Sequence, residues 1–77
     1  MDRYKVYKSK TKYGMLTEAR YNIGIHDVNY EIELHMERDW YKHYVVILKK
    51  VGNRWLKILT IHDGELIKTK NYPTESN

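Results

Sequence analysis

The sequence predicts an all-β domain, an antiparallel meander of five to six strands that could close partly into a small barrel. Three observations support this fold class. One stretch alternates strictly between apolar and polar residues, two later stretches are apolar on both faces, and two glycine-containing dipeptides separate neighbouring strands. An α+β arrangement also fits: a four- to five-stranded antiparallel sheet with a short helix near residues 15–24 packed on one face.

The predicted strands in the middle of the chain differ in the number of faces that they bury. Alternation over residues 28–37 predicts a strand with one buried and one solvated face. Residues 44–48 and 54–62 are apolar at both odd and even positions, which is typical of central strands. Residues 65–69 predict a short final strand.

Two turns determine the predicted register of the later strands. Gly52-Asn53 suits a two-residue type II′ turn, and Asp63-Gly64 suits a type I′ turn. They predict five cross-strand pairs: Val51 with Arg54, Ile47 with Ile58 and His43 with His62 in the first hairpin, and His62 with Glu65 and Thr60 with Ile67 in the second. A longer loop near Asp39-Trp40 is expected to join residues 28–37 to residues 44–48 as a further hairpin.

The N-terminal third is open to two interpretations. Alternation of Ala19, Tyr21 and Ile23 favours a strand, whereas Leu16, Ala19 and Ile23 followed by Gly24 also fit a short helix. The strand is the preferred interpretation. Residues 3–8 predict an edge strand, because lysines discourage a strand from pairing with other chains.

The length of 77 residues bounds the organisation to one small β domain over residues 1–70 and a flexible polar tail over residues 71–77. The chain has no cysteine, which excludes disulfides and thiolate zinc sites. It has no apolar run of membrane-spanning length and no apolar segment typical of a secretory signal. We therefore expect a cytoplasmic protein with no membrane contact, located in the host cytoplasm if it is viral.

Charge is distributed unevenly along the chain. Residues 1–14 carry a net charge of +4, residues 15–40 of −4 and residues 41–77 of +4, which sum to the overall charge of +4. All aromatic residues are tyrosines (eight) and tryptophans (two), whose polar groups suit half-exposed positions. This pattern indicates an anionic partner.

Basic residues and a tryptophan cluster around the Gly52-Asn53 turn. Cations neutralise phosphates and flat rings stack on bases, so the cluster predicts contact with nucleic acid or a nucleoprotein. Lysines outnumber arginines, which predicts largely sequence-independent binding, to DNA or RNA, by a small non-enzymatic module. The candidate nucleic-acid-binding residues are Lys49, Lys50, Arg54, Trp55, Lys57, Lys5 and Lys8, with Tyr4, Tyr7 and Tyr13 interleaved among the N-terminal lysines.

A second apolar face on the predicted sheet supports an alternative function. Its size suggests either that residues 1–25 fold over it or that it binds a protein partner or a second copy of the chain. The candidate protein-interface residues are Tyr44, Val46, Trp55, Leu59 and Ile61. The alternative function is thus a protein-protein interaction module, such as a viral or mobile-element inhibitor that occludes a host nucleic-acid-handling enzyme or defence complex.

No catalytic motif is present in the sequence. The predicted register brings His43 opposite His62 near acidic residues, but this spacing matches no metal-ligand motif. The four glycines are scattered and form no phosphate-binding loop. We therefore expect no enzymatic activity, no catalytic residues, no bound metal and no cofactor.

Overall fold

The computed structural model describes residues 2–11, 14–37, 44–62 and 64–72, except the side chain of Thr17. It contains five strands and one helix in the order β1 (Tyr4–Ser9), β2 (Leu16–Ile23), α1 (Ile25–Glu37), β3 (Tyr44–Val51), β4 (Arg54–His62) and β5 (Glu65–Lys68). All strand pairs are antiparallel, and the spatial order is β2-β1-β3-β4-β5. The sheet is not closed, because β2 and β5 are its two edges. The predicted fold class, a small antiparallel sheet of five strands with or without a short helix, is confirmed, and the sheet does not close into a barrel.

The helix α1 lies where the sequence predicted an alternating strand, so the strand prediction for residues 28–37 is wrong. The buried positions of α1 are Val28, Glu31 and His35, with Ile32 packed against the core. These residues recur every three or four positions, which is the helical period. Glu31 and His35 are polar, so the strand interpretation placed them on the solvated face, but they are buried. Tyr30 and Met36 are apolar enough to suggest burial, but they are exposed. The hairpin expected near Asp39-Trp40 is therefore excluded, although residues 38–43 themselves lie outside the described residues.

The N-terminal segment forms the strand that its alternation favoured, and the alternative helix near residues 15–24 is not present. β1 and β2 form a hairpin that extends the sheet sideways, so residues 1–25 do not fold over the second face as expected. The prediction that β1 is an edge strand is also wrong, because β1 pairs with β2 on one side and with β3 on the other.

Both predicted two-residue turns are consistent with the observed pairing. Val51 pairs with Arg54 around Gly52, whose φ of 63° suits glycine at the first position of a type II′ turn. His62 pairs with Glu65 and Thr60 with Ile67 around Gly64, as predicted. Asp63 and His43 lie outside the described residues.

A bulge in β4 changes the register of the first hairpin. Ile47 pairs with Leu59 and Leu48 with Lys57, so Ile58 has no partner in β3. The predicted pair of Ile47 with Ile58 is therefore wrong by one residue. A bulge places two residues of one strand opposite one of its neighbour, and here both Ile58 and Leu59 are buried.

The hydrophobic core lies between α1 and one face of the sheet. Its buried members come from α1 and four of the strands: Tyr4, Val6, Ile23, Val28, Val45, Ile47, Ile58, Leu59 and Ile61. Tyr72 also packs against this cluster, and the Asn71 side-chain amide donates a hydrogen bond to the Lys57 carbonyl at 3.4 Å. Residues 73–77 of the predicted flexible tail lie outside the described residues.

The bulge makes a testable distinction between two apolar residues of neighbouring strands. Leu59→Ala should lower the free energy of unfolding by about 3 kcal/mol, because Leu59 is buried and its truncation leaves a cavity. Ile67→Ala should lower it by less than about 1 kcal/mol, because Ile67 is 55% exposed. Urea denaturation followed by tryptophan fluorescence measures both values, and equal losses would contradict the observed register.

Candidate functional site

One face of the sheet has no covering layer among the described residues. Side chains alternate across a strand, and Val6 and Ile47, which are buried, face α1. Their neighbours in sequence therefore face the opposite side, which we call the open face. From the register, the open face comprises Lys5, Tyr7, Ala19, Tyr21, Tyr44, Val46, Leu48, Lys50, Trp55, Lys57, Thr60, His62, Glu65 and Ile67.

Lysines and aromatic rings are in contact near the turn end of the open face. The Lys5 ammonium lies 4.2 Å from the centre of the Trp55 ring and 5.5 Å from that of Tyr21. The Lys50 ammonium lies 5.9 Å from the Trp55 ring, and Tyr7 meets Tyr21 edge-to-face with 5.9 Å between ring centres. We call these five residues the basic-aromatic cluster. Cation–π attraction of this kind holds ammonium groups beside flat rings.

A second aromatic pair lies at the other end of the open face. The rings of Tyr44 and His62 are stacked, with 3.7 Å between their centres and 6° between their planes. Tyr44 and Lys50 are six positions apart on β3, so about 20 Å of strand separates this pair from Lys50 of the basic-aromatic cluster. Val46 and Leu48 occupy the open face between them.

The structure brings together four of the seven predicted nucleic-acid-binding residues. Lys5, Lys50, Trp55 and Lys57 share the open face. Arg54 is exposed at the turn, but it pairs with Val51, which lies on the helix side of β3 by alternation. Arg54 therefore belongs to the helix side of the sheet.

Lys49 and Lys8 lie on the opposite side of the sheet. Contrary to the prediction from the sequence, they therefore do not share one basic surface with the lysines of the open face. Lys49 pairs with Tyr4 in β1, on the buried side of that strand, and its ammonium lies 3.5 Å from an Asp2 carboxylate oxygen. Lys8 is buried beneath α1. Alternation along β1 and β3 explains both cases, because adjacent lysines in a strand point to opposite faces. Tyr4 is likewise buried in the core, and Tyr13 lies outside the described residues.

Lys8 belongs to a buried group of charges between α1 and the β1–β2 hairpin. Its ammonium lies 3.0 Å from one Glu31 oxygen and 3.3 Å from Glu18. The Arg20 guanidinium donates to the other Glu31 oxygen at 2.9 Å, and His35 Nε2 lies 3.5 Å from Glu31. Buried charges are found in proteins when they are paired in this manner.

The pKa values of Glu31 and Arg20 reflect their contact. Burial raises the pKa of Glu31, but hydrogen bonds from Arg20 and Lys8 and the charges of both outweigh it, so the pKa lies below its ordinary value of 4.5. The hydrogen bond to Glu31 raises the pKa of Arg20, although partial burial opposes this change. The Glu31 carboxylate is thus held ionised between α1 and the sheet.

The predicted protein-interface residues divide between the two sides of the sheet. Tyr44, Val46 and Trp55 are half-buried on the open face. Leu59 and Ile61 are buried in the core, so the prediction that they share a face with Trp55 is wrong. The bulge at Ile58 is the cause, because one extra residue reverses the alternation that the turn would otherwise impose.

Tyr21 is a site residue that the sequence interpretation missed. Its alternation with Ala19 indicates a strand, but its position beside Lys5 depends on the pairing of β1 with β2. His62 stacks on Tyr44, and its predicted partner His43 lies outside the described residues. Within the described ranges, no group of three or more acidic or histidine side chains could hold a metal ion.

No family model, curated protein or solved structure matches this chain. In the described part of the chain, α1 is too short and too polar to cross a membrane.

Replacement of Glu31 tests the buried charge group. Glu31→Gln should lower the free energy of unfolding by about 3 kcal/mol, because it leaves the buried Lys8 ammonium without its closest carboxylate. Glu33→Gln is the matched control, since Glu33 is an exposed carboxylate of the same helix. Urea denaturation at neutral pH measures both changes.

Acid should remove the same stabilisation from the unmodified protein. A carboxylate with a lowered folded pKa stabilises the fold above its unfolded pKa, and this contribution is lost as the pH falls from about 4.5 through the lowered value. The stability of the Glu31→Gln variant should therefore depend less on pH below about 4.5. Parallel pH profiles for the two proteins would contradict the role assigned to Glu31.

Proposed function

We propose that this protein is a non-enzymatic module that binds single-stranded nucleic acid on its open face. The observation that carries the proposal is the basic-aromatic cluster, in which Lys5 and Lys50 lie beside Trp55 on a face with no covering layer in the described chain. A single strand exposes base faces that stack on aromatic rings, and its phosphates attract lysines. A duplex hides those base faces, so single strands are the expected ligand.

The dominance of lysine supports contact with the backbone rather than with particular base edges. Lys5, Lys50 and Lys57 are the basic residues of the described open face, and Glu65 is its single acid. Lysine is a compact point charge that lacks the fork with which arginine binds guanine edges. The binding energy is therefore expected to come mostly from phosphate neutralisation and from stacking, with little dependence on sequence.

The opposite side of the molecule supports this orientation of the ligand. Helix α1 contains Asp27, Glu33 and Glu37 at exposed positions and has no lysine or arginine. These carboxylates repel a polyanion from the surface of α1, whereas the lysines attract it to the open face.

We place this activity in the cytoplasm, or in the host cytoplasm if the chain is encoded by a virus.

The alternative proposal is a protein-binding module that blocks a nucleic-acid-handling enzyme. Exposed Ile67 and half-buried Val46 on the open face support it, because apolar side chains suit a protein interface. The lysines that surround them favour an anionic ligand instead. Oligonucleotide titration distinguishes the two proposals.

The primary test is fluorescence anisotropy of labelled single-stranded DNA, single-stranded RNA and duplex DNA at several salt concentrations. Three lysines on the open face predict a slope of about −2 for the logarithm of the binding constant against the logarithm of salt concentration. Lys50→Glu should weaken binding at least about tenfold, because it replaces an attraction to phosphate with a repulsion.

Lys49→Glu is the matched control, since it makes the same charge change at the neighbouring position on the opposite side of the sheet. Its effect on affinity should be small. Equal losses in the two variants would indicate a diffuse charge effect rather than the open face. Absence of binding at low salt would overturn the proposal and favour the protein-binding alternative.

Two exposed tyrosines test the stacking contribution. Tyr21→Ala should weaken single-strand binding by about 1 kcal/mol, because it removes one ring from the basic-aromatic cluster. Tyr30→Ala should leave the affinity unchanged, since Tyr30 has a similar exposure but lies on α1. The same anisotropy titration measures both variants, and indistinguishable affinities would contradict a stacking role for Tyr21.

A further inference from the structure

A pocket of about 280 Å³ opens at the end of the open face that is remote from the Gly52-Asn53 turn. Six side chains carry its chemistry: Tyr44, Lys57, Thr60, His62, Glu65 and Ile67. Pockets for drug-sized ligands are usually about 300 to 1,000 Å³. The volume is therefore suited to a smaller group, such as a single nucleobase.

The register of three strands assembles this pocket. His62 pairs with Glu65, and Thr60 pairs with Ile67 across the β4–β5 hairpin. Tyr44 of β3 stacks on His62, which fixes both rings at one end. The pocket combines two aromatic rings, three aliphatic side chains, one carboxylate and one ammonium group.

The polar groups of the pocket restrict which base fits it. An ionised carboxylate only accepts hydrogen bonds, so the Glu65 oxygens require N–H donors. The Watson–Crick edge of guanine presents two adjacent donors, N1–H and the N2 amino group, to the two oxygens of one carboxylate. Adenine and cytosine offer one amino group each, whereas thymine and uracil offer a single N–H between two carbonyl oxygens.

We propose that this pocket binds one guanine base of the single strand, with the Glu65 carboxylate accepting from N1–H and N2–H. The proposal rests on the proposed function and adds a guanine preference at one position. Lys57 lines the same pocket, and in this arrangement its ammonium group neutralises the phosphate of that nucleotide. In this arrangement Ile67 and the stacked rings contact the base, and the strand then extends about 20 Å along the sheet to Lys50 of the basic-aromatic cluster.

The test compares oligonucleotides that differ at one base. Anisotropy titrations use dT10 and the same strand with one central guanine, hypoxanthine, adenine or cytosine, together with the equivalent series in rU10. One guanine should tighten binding roughly tenfold relative to dT10, and hypoxanthine, which lacks the N2 amino group, should retain only part of this gain. Glu65→Gln should remove the difference between guanine and hypoxanthine, whereas Glu33→Gln on α1 should preserve it.

The possible outcomes separate this proposal from the proposed function. If all oligonucleotides bind equally well, the guanine pocket is wrong and binding on the open face stands. If none binds at low salt, the proposed function is wrong, and NMR titration with GMP and UMP tests the pocket by itself. Shifts of Tyr44 and His62 resonances with GMP but not with UMP would support the pocket, and their absence would overturn it.

Discussion

Helix α1 provides the layer that covers the sheet, and its dimensions determine how the two faces differ. Its 13 residues span about 20 Å, and it contacts β1 and β4 and forms an ion pair with Arg20 of β2. One helix of this length can bury one face but not both. Because β1 and β2 extend the sheet sideways instead of covering it, the second face has no layer among the described residues. The open face follows from this arrangement.

The contact between α1 and the β1–β2 hairpin depends on charge as much as on apolar packing. Glu31 lies between Lys8 and Arg20. Lys5, the other lysine of β1, faces the opposite side of the sheet. Burial of an ion pair rarely adds much net stability, but removal of one partner is costly. We interpret the group as a device that fixes the position of the helix. Strand alternation, rather than this group, leaves Lys5 on the open face.

Much of the fold was predictable from local signals, and the errors have identifiable causes. The Gly52-Asn53 turn and the Gly64 turn gave correct pairings because a two-residue loop fixes the register of the residues next to it. The position of α1 was not predictable from alternation, because its buried face includes Glu31 and His35. Their partners come from β1 and β2, so the pairing that permits their burial exists only in the folded chain.

The candidate site was predictable to a similar extent. Lys50, Trp55 and Lys57 lie near the turn in sequence, and alternation gives them one face. The bulge at Ile58 has no clear sequence signal, since it involves an ordinary apolar residue within an apolar strand. It moved Leu59 and Ile61 into the core. Tyr21 joined the site through a strand pairing that local patterns do not specify.

The open face carries lysines as well as apolar side chains, and this combination bears on the proposed partner. A second copy of the chain placed open face to open face, with the two turn ends together, would bring Lys5, Lys50 and Lys57 of one protomer toward the same residues of the other. Like charges directly opposed across an interface are unfavourable, and lysines near exposed strands are a recognised protection against association. In the proposed complex a single nucleic acid strand would reverse this balance, because its phosphates would neutralise the lysines while its bases would cover the rings. The combination that opposes self-association therefore favours a polyanion with flat, apolar bases.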